Sequence, residues 1–248
     1  MVNSNTPFSV SHRHFSHLFH IYPLHVVVMG ASAHDDALIT TSLDKWTGLT
    51  CGKDGACPNG FTFDGAASMS ALIPGREDAA AGNISQFVLK SGKVHKSTMY
   101  AEGHSPCIES PLAAANSMQE LLLQSWGGII RVFPSVPHAW PSVMFDRMWA
   151  EGGIVVSARQ ENGSTQFVQL CNRGEMSGAV QLETDVALVC PTTQVQTHRE
   201  SERSLVSLTV QKGECVVCHR AGVSRETLRI DSADMPGYSA DYNYFGQQ

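Results

Sequence analysis

The chain is 248 residues long, 42% hydrophobic and 16% charged, with a formal net charge of −6. That length holds one large domain or two small ones, and the balance of residues is ordinary for a globular protein. No stripe of Lys and Arg offers a surface to phosphates, so nucleic acid is excluded as a partner.

Residues 1–7 carry neither a basic nor an apolar region and do not read as a signal peptide. Next comes Ser11-His12-Arg13-His14-Phe15-Ser16-His17-Leu18, dense in ionisable side chains where a domain usually places apolar ones. The apolar stretch 21–29 is broken by Pro23 and His25 and falls well short of the roughly 20 residues of a membrane span. No membrane is expected as a partner.

Helical patterns follow. Asp35-Asp36 opens a segment with Leu38, Ile39, Leu43 and Trp46 at helical spacing, closed by Gly48. Residues 66–72 read as a short helix of small side chains stopped at Pro74-Gly75. Residues 77–90 read as another, with Ile84, Phe87 and Val88 on one stripe and Lys90 near the end that favours cations. Ser110-Pro111 is a strong helix start, because serine accepts a bond from an orphan N–H and proline lacks the N–H that would go unpaired. Leu112, Ala115, Met118, Leu122 and Trp126 then predict a helix that runs to Gly127-Gly128.

Beyond Gly128 the period becomes two. Ile130-Arg131-Val132-Phe133 runs into Pro134, and residues 154–160 and 165–171 flank Glu161-Asn162-Gly163-Ser164, a hairpin signal. Residues 179–182, 187–189, 205–210 and 214–218 continue the series, as short strands at regular intervals do in a β-sandwich. Residues 231–248 are polar and aperiodic and are expected to be poorly ordered. The domains expected are therefore 1–128, helical, and 129–230, a β-sandwich, before that tail.

The seven cysteines are odd in number, so at least one is free or paired with another chain. Cys51 and Cys57 flank a Gly/Asp/Pro loop and could be bridged. Cys171, Cys190, Cys215 and Cys218 lie in strand-like sequence and read as small buried hydrophobes. Cys215-Val216-Val217-Cys218-His219 has the pattern of a c-type haem attachment, but three-residue spacing on a strand sends the two cysteines to opposite faces. Haem, and any other cofactor, is not expected.

His14, His17 and His20 recur every three residues and would share a helix face, with His12 and His25 at its margins. They could be satisfied by backbone carbonyls, hold zinc, or line a sugar pocket in which imidazole and guanidinium donate to hydroxyls. The spacing is not the i, i+4 pair of a zinc protease helix, and no metal is expected. The second polar block holds Glu102 and Glu109. Glu109 immediately precedes the Ser110-Pro111 start, where the helix dipole and unpaired N–H groups favour an ionised carboxylate. That is the state a general base needs, and equally what a residue that merely stabilises the helix end needs.

Taken together, the blocks resemble the C-terminal part of glycoside hydrolase family 95, the α-L-fucosidase type. His12-Arg13-His14-x-Ser16-His17-Leu18 followed by Tyr22-Pro23 is similar to one family segment. In that family the catalytic base is the aspartate of an Ile-Asp-Gly-Asn-Phe-Gly segment, eleven residues before the glutamate of a Glu-Met-Leu-Leu-Gln-Ser helix. Here Ile108-Glu109-Ser110-Pro111-Leu112-Ala113 precedes Glu120-Leu121-Leu122-Leu123-Gln124-Ser125 at the same offset. Phe133-Pro134-x-Val136-Pro137-x-Ala139-Trp140 and Ala150-Glu151-Gly152-Gly153 carry the resemblance into the β region, so that it covers roughly residues 11 to 175.

The resemblance implies a fold of partial (α/α)6 barrel helices followed by a C-terminal antiparallel β-sandwich. It also implies an inverting exo-glycosidase acting on terminal α-L-fucosides or related sugars of an oligosaccharide or glycoconjugate. Glu109 falls on the base position, and His12, Arg13, His14 and His17 would line the sugar pocket, with Glu102 as a further polar contact. Two departures stand out. Glutamate replaces aspartate at the base position, and Ser110-Pro111-Leu112-Ala113 replaces Gly-Asn-Phe-Gly. Such changes fit a divergent branch or one without activity. No part of the chain matches the segments that supply the family's glutamate acid and asparagine pair, and the helix signals number about five where a full barrel has twelve, so an incomplete active site is expected. The alternative is a non-catalytic carbohydrate-binding or interaction module built on the β-sandwich.

An incomplete ring of helices would leave apolar side chains facing water and promote self-association. The purified chain is expected to be oligomeric in light scattering and to bind a hydrophobic dye; a monodisperse, dye-silent monomer would count against that expectation.

Overall fold

The computed structural model describes residues 14–48, 59–94, 100–102, 105–175, 178–191, 197–198, 203–224, 228 and 230. Contacts divide the chain into two compact units, the first ending at Leu121 and the second beginning at Leu122.

In the first unit a 3-10 turn, Ser16–Leu18, precedes helix α1, Ala33–Gly48. Ser32 caps α1, its hydroxyl accepting from the Asp35 N–H at 3.0 Å and donating to the Asp35 carboxylate at 2.9 Å. Ile39, Leu43 and Trp46 face inward at i, i+4 and i+7. Helix α2, Gly60–Ser70, starts earlier than its small-residue core suggests. The Asn59 N–H donates to the Thr62 hydroxyl at 3.3 Å at its N-terminus, and the helix is buried almost all round. Helix α3, Glu77–Ser85, runs into a π turn, Gln86–Lys90, that brings Phe87 into the interior. The two-residue strands β1, Ala101–Glu102, and β2, Ser105–Pro106, pair ahead of helix α4, Glu109–Leu122.

Helix α4 differs from its expected form in two ways. Its buried stripe is Ser110, Ala114, Ser117 and Leu121, while Leu112 and Met118 of the apolar spacing are exposed. The reason is size. An alanine-and-serine stripe lets another helix backbone approach closely, and the longer leucine and methionine are left on the outer side. The helix also stops at Leu122 instead of continuing to Trp126. Strand β3, Leu123–Trp126, pairs antiparallel with β4, Ile129–Val132, across Gly127 and Gly128, whose φ values are 65° and 76°. Two successive left-handed residues make the tight turn of a hairpin, a conformation that two glycines enter without strain. Gly127-Gly128 is thus a hairpin turn and not a helix stop.

The second unit continues with β5, Val143–Ala150; β6, Ile154–Glu161; β7, Ser164–Asn172; β8, Gly178–Thr184; β9, Thr197–His198; β10, Ser204–Val210; and β11, Cys215–His219. They form a five-stranded sheet ordered β3-β4-β8-β10-β9 and a four-stranded sheet ordered β11-β7-β6-β5. The β6–β7 hairpin turns over Asn162-Gly163 as its sequence signals. Residues 187–189 form no strand and contribute only a bridge from Val189 to His219. The sandwich is mostly antiparallel, but β4 and β8 run parallel, since the intervening chain passes through the other sheet before returning.

Alternation supplies the core. Ile130 and Val132, Val180 and Leu182, and Val206, Leu208 and Val210 face Ile154, Val156 and Ala158, Val168 and Leu170, and Val216 in one continuous cluster. On the five-stranded sheet Arg203 donates to the Glu183 carboxylate at 2.8 Å and to the Val132 carbonyl at 2.8 Å, joining β10, β8 and β4. Arg131 lies 3.6 Å above the Trp126 ring.

The strand cysteines are not free hydrophobes. Cys171 is bonded to Cys215, its direct cross-strand neighbour, and Cys190 is bonded to Cys218. Opposite faces decide the partners, because Cys215 is exposed and Cys218 is fully buried. Cys51 and Cys57, and the tail 231–248, lie outside the described residues. Removing the Cys190–Cys218 bond with Cys218→Ala should lower stability by about 2–4 kcal/mol. The loss would appear as a lower urea midpoint under non-reducing conditions, and reductant should lower the wild-type midpoint in the same direction.

Candidate active site

The site is built on α4 and the segment that begins at His14. Glu109 opens α4, and its Oε1 lies 3.7 Å from the Nε2 of His14, with both side chains partly open to solvent. The ring edge of His14 also meets Phe61, centroids 5.4 Å apart. Phe15, the next residue, stacks on Phe61 at 5.2 Å and contacts Trp46 at 5.5 Å. It fills the space that a side chain at Gly65 would occupy. That close approach anchors the backbone immediately after His14 on α2.

The start of α4 is fixed against the start of α2. A Cβ at Gly60 would come within 2.9 Å of the Ser110 Cβ, so only glycine permits this separation. The Gly60 N–H donates to the Tyr100 hydroxyl at 3.0 Å. Further along, the Ser117 hydroxyl lies 2.8 Å from the Asp64 carbonyl, 2.8 Å from the Ala113 carbonyl and 3.0 Å from the Ser68 hydroxyl.

A second set of groups ties the histidine segment to α4. The Tyr22 hydroxyl donates to the Glu120 carboxylate at 3.2 Å, and the Asn116 amide donates to the Tyr22 hydroxyl. Glu109, Asn116 and Glu120 recur at intervals that place them along one face of α4. His14 meets that face at its first turn and Tyr22 at its last. Burial pushes the Glu120 carboxyl up to about 7, with the Tyr22 bond opposing the shift. Burial and the adjacent Glu120 together push the Tyr22 phenol up to about 12. Asp64, on α2, is fully buried, and among the described residues neither carboxyl oxygen has a hydrogen-bond partner; burial pushes it up to about 8.

The other expected site residues are placed as follows. His17 meets Trp46 at 6.4 Å instead of sharing a helix face with His14, because only Ser16–Leu18 is helical in this segment. His12 and Arg13 lie outside the described residues, and so does the side chain of Glu102, whose backbone lies in β1. Tyr22, Asp64, Asn116 and Glu120 were not singled out from sequence as site residues. Asp64 could have been, as a lone carboxylate beside Gly65-Ala66-Ala67, and the Glu109, Asn116, Glu120 spacing was readable once α4 was assigned.

The architecture defines a class, helices followed in sequence by a β-sandwich module, and such a fold alone hosts many activities. Comparison with known families is more specific. Residues 124–217 match the family described as glycoside hydrolase family 95, C-terminal domain. The matched stretch begins inside β3 and ends inside β11, so it spans both sheets. Over those residues the β unit is similar to the C-terminal domain of the glycoside hydrolase family that the sequence motifs resemble. No curated protein matches the chain.

The raised carboxyls link stability to pH. Both fold protonated, with pKa values above their unfolded ones, so the native state holds more protons than the unfolded state. Their stabilising contribution is complete below about pH 4, falls as pH rises, and is lost once pH passes the folded values near 7 and 8. Each group changes stability by at most about 1.4 kcal/mol per pH unit. Urea midpoints measured from pH 5 to pH 8 should therefore fall, and Asp64→Asn should flatten that slope. An identical slope in the variant would remove Asp64 as its source.

Proposed function

We propose that the chain is the C-terminal part of an inverting exo-glycosidase of the α-L-fucosidase type, acting on terminal α-L-fucosides or related sugars. In this reading the unit ending at Leu121 supplies the last helices of an (α/α)6 barrel, and the β-sandwich domain begins ahead of the expected boundary at 128, since Leu123–Trp126 is already its strand β3. The observation that carries the proposal is the contact between His14 and Glu109. It joins the two motif blocks that the family resemblance identifies separately, one an imidazole and the other the base-position carboxylate.

The chemistry assigns distinct roles. An inverting glycosidase needs one carboxylic acid to protonate the leaving oxygen and one carboxylate to take a proton from the attacking water. Glu109 is the carboxylate, and its place on the first turn of α4 puts it at the positive end of the helix dipole. At 3.7 Å the His14 ring is close enough to orient Glu109, and with both groups partly open it can also donate to a sugar hydroxyl or to the water. Glu120, Asn116 and Tyr22 are positioning residues that hold the histidine segment along α4. His12, Arg13, His17 and Glu102 are proposed as sugar contacts. The general acid belongs to sequence that no part of this chain matches.

Positioned acid and base groups each contribute on the order of 10²–10⁴-fold, so the chain by itself should turn over an aryl α-L-fucoside at no useful rate. Binding tests the base directly. A fucose-configured iminosugar, cationic at neutral pH, should bind the chain by calorimetry, and Glu109→Gln should weaken it about tenfold or more by removing a charge-assisted hydrogen bond. Equal affinity for the wild type and Glu109→Gln would withdraw Glu109 from the site.

A further inference from the structure

We propose that the β unit carries a second, non-catalytic site that takes a neutral sugar residue. The site is a cleft of about 530 Å3 lined by Trp140, Met144, Arg159, Gln160 and Glu161. That volume lies in the range of small-ligand sites. The site is carried wholly by the second unit and does not rest on the role proposed for Glu109.

The strand pattern makes Gln160 unusual. Along β6 the inward positions are Ile154, Val156, Ala158 and then Gln160. Gln160 therefore occupies a place where the alternation calls for an apolar side chain. It is 7% exposed, and its Oε1 is buried with no hydrogen-bond partner among the described residues. An amide oxygen in that state destabilises the fold unless something donates to it. The register with β7 shifts between Arg159 and Gln160 because Gln166 of β7 is the extra residue, unpaired in the ladder, so β6 itself keeps its alternation and Gln160 its inward place.

The rest of the cleft is held in place around that amide. Gln160 and Arg159 sit opposite Val143 and Met144 of β5. The Gly163 N–H of the β6–β7 turn donates to the Pro141 carbonyl at 2.8 Å, and the Trp140 N–H donates to the Pro137 carbonyl at 2.9 Å. These bonds fix the Trp140 loop beside the end of β6. The Arg159 guanidinium lies 3.8 Å from the Glu161 carboxylate and 3.9 Å from the Met144 sulfur.

Charge and hydrogen bonding choose the ligand. Arg159 and Glu161 cancel, and two acceptors, the Gln160 oxygen and the Glu161 carboxylate, oppose an anion. A hydroxyl can donate to either acceptor and accept from Arg159. An indole offers a flat apolar surface to the C–H face of a sugar ring. A neutral polyol with one apolar face satisfies all of these groups together.

The test uses the full chain with D-galactose and D-xylose as probes, which lack the fucose configuration proposed for the active site, followed by saturation-transfer NMR and titration. At least one sugar should bind saturably. Gln160→Met should weaken it about fivefold or more, the effect of leaving a sugar hydroxyl unpaired, and Trp140→Ala should weaken it at least as much. Glu109→Gln should leave this binding unchanged, which separates it from sugar bound at the active site. Melting gives an independent reading. Because methionine removes an unpaired acceptor while keeping the length of the side chain, the Tm of Gln160→Met should equal or exceed that of the wild type. Sugar binding that survives Gln160→Met, that vanishes only with Glu109→Gln, that sulfate outcompetes, or that no probe shows at all would overturn the proposal. A lower Tm with unchanged binding would make Gln160 a structural residue and the cleft a water-filled packing gap.

Discussion

The first unit is organised by the close approach of α2 and α4, which small side chains make possible. Gly60 lies against Ser110, and the Ser117 hydroxyl lies 2.8 Å from a carbonyl of each helix. A Cβ at Gly60 would collide with the Phe87 ring at 2.7 Å and with the Ser110 Cβ at 2.9 Å, so a larger residue there disturbs the seat on which the start of α4 rests. The Ser117 hydroxyl meets its hydrogen-bonding need on helix carbonyls, whereas the Ser110 hydroxyl is buried with no partner among the described residues. With that face of α4 fixed, the adjacent face, bearing Glu109, Asn116 and Glu120, has a defined direction. The histidine segment lies along it through His14 at one end and Tyr22 at the other.

Carboxyls enclosed behind this arrangement oppose the folding they accompany. Asp64 is buried without a partner among the described residues, and the Glu120 carboxyl is largely enclosed. Taking a charge out of water is costly, and these groups respond by holding their protons to about pH 8 and pH 7. Departures of this kind from ordinary burial concentrate at functional sites, where a local rule is broken and stability is made up elsewhere. In this unit the making up falls to the aromatic contacts of Phe15, Phe61 and Trp46 and to the apolar faces of α1 and α3.

The β unit is built on different physics. Its core is almost wholly aliphatic, strands of its five-stranded sheet are tied by Arg203, its strand β11 is held by two disulfides, and its one orphaned inward amide is Gln160 among the described residues of β6. Disulfides persist where the surroundings are oxidising, and that constraint applies to this unit.

What sequence alone determined was periodic or punctuated. The inward face of α1, the change from a period near 3.6 to a period of two and the β6–β7 turn at Asn162-Gly163 follow from spacing and turn chemistry, and the motif blocks are legible as a family resemblance. Tertiary structure decided whatever depended on a partner distant in sequence. The spacing of Leu112, Ala115 and Met118 is helical, yet the buried face is Ser110, Ala114, Ser117 and Leu121, because the neighbour is a glycine-bearing helix that accepts only small side chains. Gly127-Gly128 ends a helix as readily as it turns a hairpin, and the pairing of Ile129–Val132 with Leu123–Trp126 selects the hairpin. Cys215 and Cys218 differ in face by the period of a strand, but their bonds to Cys171 and Cys190 require the β7 register and the fold of the chain near Val189. The meeting of His14 with Glu109 is of the same kind. The residue types and the helix start are written in the chain, whereas the 3.7 Å between them exists only because Phe15 is packed on α2 and Tyr22 is bonded to α4.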